Sequence, residues 1–168
     1  MISHELLFGL LAFAFVSSAT PGPNNLMLMA SGTNFGFART IPHMLGVASG
    51  FVVMVVLVGL GLAKIFDAFP LLRTVLKIDS IAYLVYLAWK IATAGAPKDA
   101  AAAGAKPMTF FGASLFQWVN PKAWTMALGA VSVYVPKDNP IIGLLIVAGI
   151  FGAINLPVVS AWAAMGVQ

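Results

Sequence analysis

From Leu6 to Ala38 the chain carries no charged residue. As one continuous helix this run would measure about 50 Å, against roughly 30 Å of membrane hydrocarbon, so it calls for a kink, a re-entrant section or a helix pair. The interruption is written in "TPGPNN", Thr20 to Asn25, whose prolines, glycine and asparagines are poor occupants of a helix interior. Met44–Ala63 is the plainest span. It is apolar throughout, and Gly46, Ser49, Gly50, Gly59 and Gly61 suit close helix packing. A third span runs from about Thr74 to Ala94, with Lys77 and Asp79 near one end, Lys90 near the other, and Tyr83, Tyr86 and Trp89 as interfacial anchors.

"GAPKDAAAAGAKP", residues 95–107, reads as an exposed connector. Beyond it Met108–Val135 is a fourth hydrophobic segment interrupted at "FQWVNPKAW", and Pro140–Val167 is a fifth in which "INLP" reads as another break. The pattern therefore predicts an all-α, polytopic membrane protein of about five transmembrane helices, a single domain over residues 1–168, with helices 1 and 4 broken. Residues 1–94 form a first repeat and 108–168 an incomplete second one. A repeat of three spans must be inverted in the membrane.

Composition strengthens this reading. Hydrophobic residues make up 61% of the 168-residue chain and charged residues 8%, with a mean hydropathy of +0.98, far from the roughly 25% charge of soluble domains. The net charge of +4 is dispersed at the ends of apolar runs, where lysine and arginine snorkel, so it does not point to nucleic acid. The absence of cysteine excludes disulfides, thiolate metal sites and cysteine nucleophiles. "MISHE" lacks the basic start of a cleavable signal, so the first segment is expected to remain in the mature protein. Connector charges are almost balanced. The longer third connector is placed on the cytoplasmic side, which puts the N-terminus outside.

A broken helix survives in lipid only where protein or a water-filled cavity satisfies its freed backbone groups. Pro23 suits the first position of a new half-helix, leaving the N–H groups of Asn24, Asn25 and Leu26 at a positive helix end suited to a carboxylate. The second break repeats this chemistry: Asn120 suits an N-cap, Pro121 the first helical position, and Lys122 adds a full charge. Paired interruptions in two halves point to a transporter's midplane site. The candidate substrate-binding residues are Pro21, Gly22, Pro23, Asn24, Asn25, Gln117, Asn120, Pro121, Lys122 and Asn155. Gln117 is either a donor to substrate or an interhelical hydrogen bond. Asn155 is a further cavity residue or the partner of a kink at Pro157, and Trp118 and Trp124 read as packing or interface residues.

No catalytic residue, metal or cofactor is expected. An intramembrane hydrolase would need a base near a nucleophile, yet the histidines are His4 at the N-terminus and His43 at the mouth of span two, and Ser49 is six residues from His43, poor spacing for one helix face. Proton coupling calls for an ionisable group at depth, and Asp79 is the one acid near enough, with Arg73 or Lys77 able to pair it at the interface.

"ATPGPNNLMLMASGTNFGFARTIPHMLGVASG", "AYLVYLAWKIA", "LFQWVNPKAWTMALGA" and "NLPVVSAWAAMG" resemble the LysE/RhtB family of amino-acid exporters, from about Thr20 to Gly166. The resemblance implies export of amino acids or close derivatives across the bacterial inner membrane by proton antiport, from a fold of six hydrophobic segments. Both breaks fall on the family's signature positions. Asp79 stands where the family more usually has a small residue, so it takes no coupling role from the resemblance. The chain ends at Gln168, where the family continues through another hydrophobic segment, and the alternative reading is a truncated, non-transporting fragment or assembly component. The implied partners are the amino-acid substrate, protons and the lipid bilayer, with a homo-oligomer left open. Substrate identity is not legible, although the scarcity of membrane acids argues against a dibasic one.

Overall fold

A residue that precedes proline is pushed out of the helical region, and three such residues decide the architecture. Thr20 before Pro21, Gly22 before Pro23 and Asn120 before Pro121 are all extended, with ψ of 143°, 175° and 107°. The computed structural model describes residues 3–62 and 106–168 together with isolated positions between 68 and 89. The described helices are α1 (His4–Ala19), α2 (Pro23–Phe35), α3 (Phe37–Leu57), α4 (Phe110–Phe116), α5 (Pro121–Tyr134) and α6 (Pro140–Val167). A π-helical turn, Val58–Leu62, follows α3, and a 3-10 turn, Gln117–Val119, links α4 to the second break. No strand occurs among the described residues.

The long first run is a helix pair. Its 16-residue and 13-residue helices are bent by 52° at the break. At 1.5 Å per residue they measure about 24 and 20 Å, so neither crosses roughly 30 Å of hydrocarbon alone. Among the described residues two helices, Phe37–Gly61 and Pro140–Val167, are long and apolar enough to cross unaided, and the bent pair raises that number to three. The fourth segment is split as expected. Most of the third span, including Lys77, Asp79 and Lys90, and residues 95–105 of the connector lie outside the described residues.

Three sequence expectations are corrected. The "INLP" stretch is not a break, since α6 runs through Pro157 for 28 residues. One isolated proline removes one hydrogen bond and leaves long, packed helix on both sides, whereas Pro21 and Pro23 act together and Asn120 offers a competing cap. The second span begins at Phe37, well before Met44, because Gly36 with φ +78° turns α2 directly into α3. Of the small residues expected to pack there, Ser49 is only partly buried and returns its hydroxyl to Leu45 O, and Gly61 adopts φ 111° in the π-turn.

Close crossings hold the helices. A Cβ on Gly166 would strike Met29 O and one on Gly32 would strike Ala163 O, so α2 and α6 meet backbone to backbone. On the other side of α3, a Cβ on Gly50 would lie 2.6 Å from Ser114 Cα, and Ser114 Oγ donates to Gly46 O at 3.0 Å. The main core joins Leu10 and Ala14 of α1, Phe51, Met54 and Val55 of α3, Ala127 and Ala130 of α5, and Val147 and Phe151 of α6. Phe13 stacks on Tyr134, whose hydroxyl donates to Gly9 O at 3.1 Å. Phe8, Phe15, Phe111, Leu115 and Leu145 point outward, as a lipid-facing surface requires.

Candidate functional site

The two breaks meet. Asn24 Nδ2 donates to Gln117 Oε1 at 2.8 Å and Gln117 Nε2 returns a bond to Asn24 Oδ1 at 3.2 Å, a reciprocal amide pair between residues 93 positions apart. Gln117 is fully buried and also donates to Ala113 O at 2.9 Å, so of its two expected roles the structure displays the interhelical one.

A second tether crosses the same gap. The Lys122 ammonium donates to Thr20 O and, at 3.0 Å, to Thr20 Oγ1. Thr20 caps the C-terminus of α1, where unsatisfied carbonyls carry partial negative charge. The cation of one break therefore rests on the negative end of the helix leading into the other. Gly22 lies under this side chain: a Cβ there would be 2.7 Å from Lys122 Cδ. Since Gly22 is fully extended at φ −170°, the position is small for reasons of space and not of backbone conformation.

Each break is shaped by its own asparagine. Asn25 Nδ2 donates to Ser18 O at 2.8 Å and Thr20 O at 2.9 Å, folding back on the last turn of α1. Asn120 Oδ1 accepts from Lys122 N at 3.1 Å, the N-cap expected of it. Pro23 and Pro121 open α2 and α5. The Leu26 N–H, expected to be free, donates to Gly22 O at 3.0 Å, so within α2 only the Asn24 and Asn25 amides lack an intrahelical acceptor.

Between the breaks lies a small cavity whose polar wall includes Ser17, Ser18, Asn24, Asn25, Gln117, Asn120, Lys122 and Asn155, and whose apolar wall includes Val47, Phe51, Met126 and Val159. The space open to the centre of a water molecule is about 20 Å³, room for a single water and far too little for an amino acid. In this conformation the space is closed to a ligand of that size. Among the described lining residues Lys122 is the one formal charge, and no acid faces the space. Of the ten sequence candidates, seven line the cavity, and Pro21, Pro23 and Pro121 act on the backbone beside it.

Ser17, Ser18, Thr20, Val47 and Phe51 were missed. The serines carried a signal, two adjacent hydroxyls at the edge of a break, whereas Val47 and Phe51 look like any core residue. The Ser18 hydroxyl is buried with no hydrogen-bond partner, and Asn155 faces the cavity from α6 with no side-chain bond among the described residues. His43, expected at the mouth of a span, is instead buried, with neither ring nitrogen bonded. Trp118 and Trp124 pack edge to face at 5.9 Å, and Trp124 Nε1 donates to Trp118 O.

The profile of the LysE type translocator family matches residues 15–166. A cysteine/O-acetylserine efflux protein of Escherichia coli (strain K12) is 32% identical over 136 residues, covering 80% of this chain and 68% of that protein. One of the same description from Shigella flexneri is 33% identical over 132 residues, covering 77% and 66% respectively. No solved structure matches.

Proposed function

Because the chain belongs to the LysE type translocator family, a family of transporters and not of enzymes, we propose that it exports a small, neutral, polar amino acid by proton antiport. In this reading it is a multi-pass protein of the bacterial inner membrane. Residues 1–94 and 108–168 are its two inverted halves, and residues 95–107 join them.

The observation that carries the reading is the pair of tethers joining the breaks around one polar cavity. The tether at Lys122 matches a zwitterion inserted into it. A substrate carboxylate takes the ammonium of Lys122, and the Thr20 carbonyl and hydroxyl that this ammonium leaves accept the substrate's own ammonium. Both ends of the ligand thus take over contacts that the closed protein makes with itself. The free amides of Asn24 and Asn25 at the start of α2 add donors for the carboxylate. Ser18 and Asn155 line the remaining space, and their polar groups suit a polar side chain such as a thiol, hydroxyl or ester. With no acid among the described lining residues, a second ammonium finds no counter-charge. The relatives named as cysteine/O-acetylserine efflux proteins fit this substrate class.

Efflux of radiolabelled cysteine, O-acetylserine and lysine from cells expressing the chain tests the proposal. Export of the neutral compounds ahead of lysine is expected. Preference for lysine refutes the substrate class, and export only by a version extended by a further hydrophobic segment refutes transport by this polypeptide.

A further inference from the structure

We propose that His43 is the group that carries the proton through the transport cycle, an assignment that rests on the antiport reading above. His43 lies in α3 and is 2% exposed, and neither Nδ1 nor Nε2 has a hydrogen-bond partner among the described residues. A neutral imidazole always bears one N–H donor and one acceptor nitrogen, and leaving both unmet in a dry interior costs free energy that a methionine or leucine of similar size would not. Packing alone therefore gives no reason for histidine here. Ionisable groups held inside membrane segments mark substrate and proton routes.

Its place along α3 supplies the second observation. Thr40, His43, Val47 and Phe51 fall at helical spacings of three and four, on one face. Val47 and Phe51 form part of the cavity wall, and Val47 is about 6 Å further along the axis than His43. In the other direction Thr40, fully buried, shares a 2.9 Å hydrogen bond with Ser31 and donates to Gly36 O at the turn where α2 becomes α3. The face thus runs from that turn, through two hydroxyls and an imidazole, to the space between the breaks.

No neighbouring group on the described elements competes for the role. The elements packed against α3 are α2, α4, the π-helical and 3-10 turns, α5 and α6, and the ionisable side chains among them are both on α5: Lys122, at the cavity, and Tyr134, whose hydroxyl donates to Gly9 O. α3 itself contributes Arg39, exposed and lying over the Phe35 ring. The step conserves atoms and electrons: one proton adds to the acceptor nitrogen of the ring when the cavity opens to one side, and one proton leaves a ring nitrogen when it opens to the other.

The test uses the purified full chain in proteoliposomes with radiolabelled L-cysteine and an internal pH-sensitive dye. Wild type is expected to move protons when cysteine moves, and to accelerate cysteine movement under an imposed pH gradient. His43→Gln and His43→Met should lose the cysteine-driven proton signal and at least about tenfold of the gradient-driven rate, while cysteine–cysteine exchange at equal pH stays within about twofold of wild type. That retained exchange reports a folded protein. Proton movement persisting in either variant overturns the assignment and leaves antiport standing. Loss of exchange in both variants also overturns it, since that is the mark of a packing residue. Wild-type protein that moves cysteine without protons overturns the antiport reading and this assignment with it.

Discussion

Replacing Lys122 by methionine keeps the length and apolar stem of the side chain and removes its charge. In the closed structure the ammonium donates two hydrogen bonds to Thr20, its carbonyl and its hydroxyl. Hydrogen bonds to a charged group contribute about 1.5–3 kcal/mol each, but Lys122 makes them to Thr20 without ligand and to the carboxylate with it, so its removal largely cancels from the absolute affinity for cysteine. What the substitution removes is the penalty on a ligand that leaves the ammonium unpaired, about one such bond, or roughly ten- to hundredfold in discrimination at about 1.4 kcal/mol per factor of ten. Competition sharpens the test. Cysteamine lacks the carboxylate and should compete poorly with cysteine in wild type, whereas in Lys122→Met the two should compete almost equally. Lys122→Arg, which keeps the charge, should retain most of the discrimination. Unchanged rejection of cysteamine by Lys122→Met would refute the pairing of carboxylate with Lys122.

Other changes separate folding from transport. Replacing Pro21-Gly22-Pro23 by alanines should join α1 and α2 into a continuous helix, raise or preserve thermal stability in detergent, and abolish efflux; continued export would show the bend to be dispensable. Asn120→Ala removes a cap worth about 1 kcal/mol and should lower efflux by more than the small loss of melting temperature accounts for, so equal losses would reduce Asn120 to a structural role. Gly166→Val places a side chain against Met29 O and should cost at least 1–3 kcal/mol, the ordinary range for overpacking, read as poor yield of folded protein; normal folding would contradict the close crossing of α2 and α6.

What could be read in advance was whatever the backbone enforces locally. Proline biases the residue before it away from the helix, so Thr20, Gly22 and Asn120 could be placed outside the helices from the sequence alone, although Ile41 before Pro42 stays helical in α3. The N-cap at Asn120 and the helix start at Pro23 were legible because they too are local. Pro157 shows the limit, because an isolated proline is outvoted by packing along 28 residues, and packing is not local. The asparagines show another. Asn24 and Asn25 are adjacent and chemically identical, yet one pairs with Gln117 across the gap and the other folds back on Ser18 and Thr20. Consecutive residues of a helix point about 100° apart, so one amide meets the facing segment while the other, across the 52° bend, meets α1. His43 was misplaced because a span drawn from Met44 puts it at the membrane surface, whereas the one-residue turn at Gly36 starts the helix two turns earlier and draws the ring inward.

The arrangement also indicates where the proposed cycle must open. α2 and α6 touch through backbone at Gly32 and Gly166, and α3 and α4 do so at Gly50, so separating either pair would break contacts spread along a helix. By contrast, the two breaks are joined by a few side-chain hydrogen bonds: the Asn24–Gln117 amides and the Lys122–Thr20 contacts. These are also the bonds a zwitterion can replace, since it brings a carboxylate for Lys122 and an ammonium for Thr20. Asn25 bonds within its own break, so it can keep α1 and α2 at a fixed angle while the facing break moves away. A ligand that substitutes for the weakest seam, and leaves the glycine crossings intact, lowers the barrier to opening there and nowhere else. In the proposed cycle this links affinity to movement: a solute lacking either the carboxylate or the ammonium would leave Lys122 or Thr20 unpaired in the open form, and the tether would close again without transport.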